Sequence, residues 1–282
     1  MKTYRDLEGD GGSNVLRQVV ELKEKIASKL EPIEMALAVG SGKGGVGKST
    51  LTMLLAQALN TRGRCVAVLD ADLNGPSQAR LGGLKTSVPV PGRRGLVVPR
   101  TRDGVGVVSF GTMVPESEAV DFPSIAQGDS HTWRATKEFA TLADFLAGTD
   151  WEPFDTLLFD LPPGAERTFQ YAEFLGPQTQ FVLVTLPSDL SRGVVRRSLA
   201  ALRKTPNPLL GYIQNMSGYY CACCGQVRPL FPESSEVEID LAHLGSVPFD
   251  PELARLCDQG LSPRDQVDSP AWQSILKIAK EL

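Results

Sequence analysis

A chain of 282 residues with 42% hydrophobic and 22% charged residues is long enough for one large or two ordinary globular domains. Its formal net charge of −4 gives no bulk electrostatic reason to bind nucleic acid or an anionic membrane, and neither is expected as a partner. No run approaches the ~18 to 20 apolar residues that cross a bilayer, and the opening MKTYRDLEGDGGSN lacks the apolar stretch of a signal peptide. Five cysteines do not make a disulfide scaffold at this length, so a cytoplasmic location is expected.

Residues 1–31 read as an N-terminal extension, disordered over the polar, Gly-rich residues 1–13 and helical after them. Val15, Val19, Leu22, Ile26 and Leu30 recur at the spacing of an amphipathic helix. Residues 32–282 read as a single α/β domain. MALAVGS, CVAVLDAD, FDTLLFDLPPG, QFVLVTLPSD and LLGYIQNMS are short, continuous apolar runs of the kind that form parallel strands buried on both faces. STLTMLLAQALNTRG, ERTFQYAEFLG and LSRGVVRRSLAALRK lie between them with helical periodicity. This alternation predicts a mostly parallel sheet with helices on both faces. The Pro-, Gly- and Val-rich stretch from Leu84 to Gly111 interrupts the rhythm and predicts a loop plus a hairpin, with an irregular loop over 112–132 leading into a helix that ends near Gly148. The closing AWQSILKIAKEL is amphipathic without a basic face, which suits a last core helix rather than a membrane anchor.

GKGGVGKS, Gly42 to Ser49, satisfies the phosphate-loop pattern G-x-x-x-x-G-K-[ST], and it stands between an apolar strand and a helix as that motif requires. Glycines let consecutive backbone N–H groups turn toward phosphate oxygens, and the helix N-terminus adds its positive end. Lys48 is placed to neutralise the β- and γ-phosphates, and the hydroxyl of Ser49 to hold Mg²⁺. Asp70 and Asp72 stand at the end of the second strand; Asp70 reads equally well as a plain turn former. Asp160, at the end of LLFD, is placed to hold Mg²⁺ through water. Asn215 ends a later strand, and its amide can donate and accept along an adenine edge.

CACCG, 221–225, crowds three of the five cysteines. Cys221 and Cys224 make a C-x-x-C with Cys223 between them, and two thiolates are half of what a closed Zn²⁺ or [4Fe–4S] site takes. Two copies of the chain, each giving two thiolates, would complete such a site on a symmetry axis. Cys65, in the second strand, and Cys257, in a late helix, lack ligand spacing and read as ordinary thiols.

The loop's second lysine, Lys43, makes it resemble the deviant Walker A ATPases, K-G-G-x-G-K-[ST], a class that includes nitrogenase iron protein, MinD, ParA and the Mrp/ApbC group. The resemblance implies that Gly42, Lys43, Gly44, Gly45, Val46, Gly47, Lys48, Ser49 and Thr50 hold ATP or ADP. It implies that Lys43 reaches across a homodimer to the partner's phosphates, that Asp72 positions the attacking water, and that Pro248 lays backbone against the base. DADLNGPS, DLPPG, VTLPSD, NMSGYYC and LGSVPFDPE follow in the order of the Mrp/ApbC family of ATP-binding iron–sulfur carrier proteins. What this implies is a homodimer that holds a labile [4Fe–4S] cluster between paired C-x-x-C motifs and delivers it to apo iron–sulfur proteins, alongside cluster assembly proteins, with slow ATP hydrolysis governing dimer shape. The chain departs from the family pattern at Ala222 and Cys223 inside the thiol motif, where the third thiol bears on which pair ligates, and at Arg167 and Val194, each where an acid is usual, on the switch and dimer face. The alternatives are a MinD/ParA-like positioning ATPase, and an ATPase with a structural Zn²⁺ clasp at the dimer interface.

Overall fold

The computed structural model describes residues 15–84, 87–113, 131–231, 239–264 and 268–282. Seven strands form a parallel sheet: β1 (Met35–Ser41), β2 (Val66–Asp70), β5 (Gly106–Val108), β6 (Thr156–Asp160), β7 (Gln180–Thr185), β8 (Leu209–Cys221) and β10 (His243–Phe249). Their order across the sheet is β10-β8-β7-β1-β6-β2-β5, and β9 (Gln226–Arg228) adds antiparallel to β8. This is the mostly parallel α/β sheet that the apolar runs predict. The hairpin expected after Leu84 is the small antiparallel ribbon of β3 (Val90–Pro91) and β4 (Leu96–Val97), whereas GVV at 106–108 joins the main sheet beside β2.

The strands read as continuous apolar runs because both faces are covered. Leu37, Val39, Val66, Val68, Val182 and Val184 face one core with α2 (Lys48–Thr61), α7 (Pro251–Asp258) and α8 (Pro270–Glu281). Ala38, Leu69, Phe159, Phe181 and Leu183 face the other, covered by α4 (His131–Gly148), α5 (Ala165–Leu175) and α6 (Asp189–Leu202). α1 (Val15–Leu30) lies on this second side, with Ile26 and Leu30 against that core. α8 buries Trp272, Ile275 and Ile278, so it is the core helix its pattern predicts. Among the described residues, no helix is long and apolar enough to cross a membrane. The irregular loop predicted over 112–132 lies outside the described residues, apart from its ends.

Parallel packing brings the carboxyl ends of the strands to one edge, where ligands of such sheets bind. β6 lies between β1 and β2, pairing Asp160 with Val39 on one side and with Asp70 on the other. The Gly42–Gly47 loop that follows β1 therefore opens directly over the two aspartates. The short helix α3 (Gln78–Leu81) follows the turn after Asp72 and covers the same edge.

Candidate functional site

The loop from Gly42 to Gly47 is held tightly from outside. Val194 of α6 packs so close to Gly42 that a Cβ there would lie 2.4 Å from its Cγ1. Gly47 has φ +79°, and a Cβ on it would lie 2.2 Å from Asn215 Nδ2; both facts demand glycine. That amide nitrogen donates to the Val46 carbonyl at 2.9 Å, tying the loop to β8. α2 starts at Lys48 with no side-chain cap on its N-terminal amides, leaving N–H donors and the positive end of the helix beside the loop.

Lys48 is buried, and its ammonium donates to Asp160 Oδ1 and to Ser49 Oγ, the latter at 3.3 Å. Asp160 has no exposed surface. Its Oδ1 also accepts from Thr52, and its Oδ2 accepts from Gln78 Nε2 at 2.7 Å. Gln78 Nε2 reaches the Ser49 carbonyl as well, at 3.0 Å. Oxygen donors of this kind, a hydroxyl beside carboxylates, are what a hard divalent cation such as Mg²⁺ takes.

Asp70 is more than a turn former. Its wholly buried carboxylate accepts from the backbone of Ser77 and Gln78 and from Ser109 Oγ, between 2.9 and 3.0 Å. Burial, reinforced by the charge of Asp160, pushes it up to about 7. Asp72, two residues on, is half-buried; burial raises its carboxyl too, and Lys48 acts against that. Lys43 is half-buried at the loop rim, its carbonyl accepting from Ser41 Oγ at 3.0 Å. Among the described residues its ammonium has no ion-pair partner.

A cavity of about 140 Å³ adjoins the loop, lined by Gly47, Thr50, Asn215, Met216, Pro248 and Phe249 among others. Asn215 and Pro248 thus line the same cavity as Gly47 and Thr50. One expectation is corrected: Asn215 does not end its strand. β8 runs on to Cys221 because β9 pairs back on its far end, Tyr219 to Cys221 opposite Gln226 to Arg228. The continuation passes through an irregularity. Met216 has φ +51°, and the register with β10 jumps from Val247 opposite Asn215 to Phe249 opposite Tyr219.

The thiols sit on this β8–β9 hairpin. Cys221 is partly buried; Cys223 and Cys224 are exposed in the turn, which the Gly225 N–H closes onto the Cys221 carbonyl at 2.8 Å. Backbone N–H groups of Cys224 and Cys223 lower the Cys221 thiol below its ordinary value. Cys65 is exposed and directly precedes β2 rather than lying in it; Cys257 is buried in α7, where burial pushes its thiol up to about 12.

Four neighbours of the site escape sequence reasoning. Gln78 has a signal only in hindsight, six residues after Asp72. Ser109 and Glu138 have none, because they come from β5's end and from α4. Glu138 is buried, accepts from Asn74 Nδ2 at 2.8 Å, and is ion-paired with Arg167. The Arg167 guanidinium lies over the rings of Tyr171 and Phe139, 5.5 and 5.8 Å from their centroids. Tyr171 completes the cluster, its hydroxyl donating to the Ala71 carbonyl at 2.9 Å. Arg167, one of the departures, therefore belongs to a junction between the 71–74 turn, α5 and α4.

Comparison with known proteins agrees with this geometry. An iron-sulfur cluster carrier protein of Methanocaldococcus jannaschii is 32% identical over 263 residues, covering 92% of this chain and 87% of its own. A cytosolic Fe-S cluster assembly factor of Aspergillus clavatus is 34% identical over 261 residues, 81% of this chain and 80% of that protein. Among solved structures, a nucleotide-binding protein of Archaeoglobus fulgidus in complex with ADP superposes with a TM-score of 0.71 at 30% identity, covering 89% of this chain and 95% of that one. The septum site-determining protein MinD of Pyrococcus horikoshii, complexed with Mg-ADP, has a TM-score of 0.62 at 23% identity over 88% and 95%, and shares the fold. The family described as ParA: NUBPL iron-transfer P-loop NTPase matches residues 32–282, and the chain belongs to that family.

Proposed function

We propose that the chain is an ATP-dependent carrier or scaffold for a labile [4Fe–4S] cluster, which two copies hold between them and pass to apo-proteins in the cytoplasm, in company with cluster assembly proteins. The observation that carries this reading is the single strand β8, which brings Asn215 to the nucleotide cavity and Cys221 to the thiol hairpin. The family and the names of its iron–sulfur relatives support the same cargo.

In this reading the 44–49 amides and the start of α2 cradle the phosphates of ATP or ADP, and Lys48 exchanges Asp160 for a phosphate oxygen. Ser49, with Asp160 through water, holds Mg²⁺, which when bound neutralises phosphate charge. Asp72 orients the attacking water. Lys43, at the loop rim, crosses to the partner's phosphates, so that closure of a homodimer depends on ATP. Asn215 and Pro248 receive the base. Cys221 and Cys224 of each copy give the cluster four thiolates. Hydrolysis is slow, since its task is to time dimer opening.

Anaerobic reconstitution with iron and sulfide tests the cargo, read by absorbance and by iron per dimer, beside Cys221→Ser and Cys224→Ser. The expected result is about four iron per dimer in the wild type and loss of colour in both variants. A colourless protein with stoichiometric zinc rejects the reading in favour of a structural clasp. Lys43→Ala is expected to keep ATP binding and to lose turnover.

A further inference from the structure

Gln78 has no exposed surface, yet only half of its amide is used. Nε2 donates to Asp160 Oδ2 and to the Ser49 carbonyl, at 2.7 and 3.0 Å. Among the described residues, Oε1 of the same amide has no hydrogen-bond partner. Buried amide oxygens are nearly always bonded, and one left over calls for an explanation. An acceptor can be completed only by a donor or a cation.

Both residues that Gln78 holds are proposed above to receive the metal. Oδ1 of Asp160 is occupied by Lys48, and Oδ2 by Gln78. A phosphate that draws Lys48 away leaves Oδ1 to the long Thr52 contact alone and, among the described residues, removes the ammonium paired with the buried Asp160. The chemistry then lacking is positive charge beside Asp160 and a donor for Gln78 Oε1. A hydrated divalent cation brings both, because Mg²⁺ keeps several of its waters and each water carries O–H donors.

We propose that Gln78 is a positioning residue of the metal–nucleotide site: its Nε2 fixes the orientation of Asp160, and its Oε1 accepts from a water of the metal's hydration shell. The inference rests on the nucleotide-binding reading above and deepens it. A thioether chain at this position would remove the unbonded oxygen at similar volume, at the expense of metal binding.

The test uses the full chain and Gln78→Met. ADP binding without metal is measured by calorimetry, Mn²⁺ binding to the ADP complex by electron paramagnetic resonance, and thermal stability with neither ligand added. ADP affinity without metal is expected to change less than threefold, Mn²⁺ affinity to weaken at least tenfold, and the melting temperature to fall, because Met leaves Asp160 Oδ2 and the Ser49 carbonyl without the donor they have in Gln78. Unchanged Mn²⁺ affinity overturns the inference, whether or not the variant melts earlier, because a purely structural glutamine would show that pattern. Gln78→Asn, which withdraws the amide by one methylene, is expected to weaken Mn²⁺ in the same sense. It decides the matter by the same measure if Gln78→Met does not fold. A wild type that binds no ADP rejects both this inference and the nucleotide reading, whereas intact ADP and Mn²⁺ binding in both variants rejects this inference alone.

Discussion

Asp70 and Asp160 end neighbouring strands opposite one another, both without exposed surface, and one ammonium, that of Lys48, is paired with Asp160. Two carboxylates at such close quarters do not ionise independently. Burial first, and the charge of Asp160 after it, make Asp70 hold its proton up to about 7, against 3.8 for a free aspartate.

The consequence for stability has a definite sign. Below pH 4 Asp70 is protonated whether the chain is folded or not, and it contributes nothing to pH dependence. Between pH 4 and 7 the unfolded chain has lost this proton and the folded chain keeps it, so stability falls as pH rises and levels off above 7. Scanning calorimetry without nucleotide is expected to show this decline. Asp70→Asn is expected to flatten it, by an amount on the order of a few kcal/mol. An identical slope in wild type and variant would refute the assignment.

Removing Lys48 leaves the buried Asp160 carboxylate without its counter-charge. Lys48→Ala is expected to destabilise the protein by about 3–5 kcal/mol in urea unfolding, the range found when one partner of a buried pair is lost. Asp160→Asn in the same chain is expected to restore much of that stability while nucleotide binding stays lost. Additive losses would show that the pair is not coupled.

Glu138 joins Asn74 to Arg167, and through them the turn that carries Asp72 to the start of α5. Glu138→Ala is expected to lower kcat for ATP about tenfold with KM within threefold, since the loss falls on positioning rather than on binding. Arg167→Gln alone is expected to do less. Combined with Glu138→Gln it should recover part of the Glu138→Gln loss, because it removes an unpaired cation. Equal changes in kcat and KM would point to general damage instead.

Gly47→Ala joins a strained φ of +79° to a clash with the Asn215 amide. It is expected to abolish nucleotide binding, read by loss of ADP-induced thermal stabilisation, while Gly63→Ala, with a comparable φ of +91° but no atom within 4 Å of its Cβ, is expected to keep it.

The thiols should separate by chemistry. With iodoacetamide at pH 8, Cys221 is expected to alkylate ahead of every other cysteine, because thiolate is the nucleophile and its thiol is lowered. Cys257, buried and pushed up to about 12, is expected to stay unmodified until the chain unfolds. Mass spectrometry of time points settles the order.

Much of this architecture is legible from the chain alone. Strands buried on both faces leave runs such as CVAVLD and LLFD, and a phosphate loop must lie between strand and helix, so the parallel sheet and its ligand edge follow from local pattern. What pattern does not give is the company of each strand end. Nothing in TKEFATLADFL or in the hydropathy of α4 says that Glu138 will reach Asn74 from 64 residues away. Asp70 reads as a turn residue in sequence because its donors are out of sight there: Ser77 and Gln78 lie past the next turn, and Ser109 is 39 residues away. Its charge coupling arises only when β6 slots between β1 and β2. The extent of β8 is hidden for a similar reason: past the irregularity at Met216 the strand continues because a partner, β9, pairs with Tyr219 to Cys221.

That extended strand sets a ruler. Asn215 and Cys221 are six residues apart on β8, roughly 15–20 Å of backbone at the rise of a strand. Side chains alternate faces along it, so inserting or deleting one residue after Gly218 would turn the thiols to the opposite side while leaving the nucleotide cavity intact. In the proposed reading, the distance between fuel and cargo is thereby written into the reading frame of one strand.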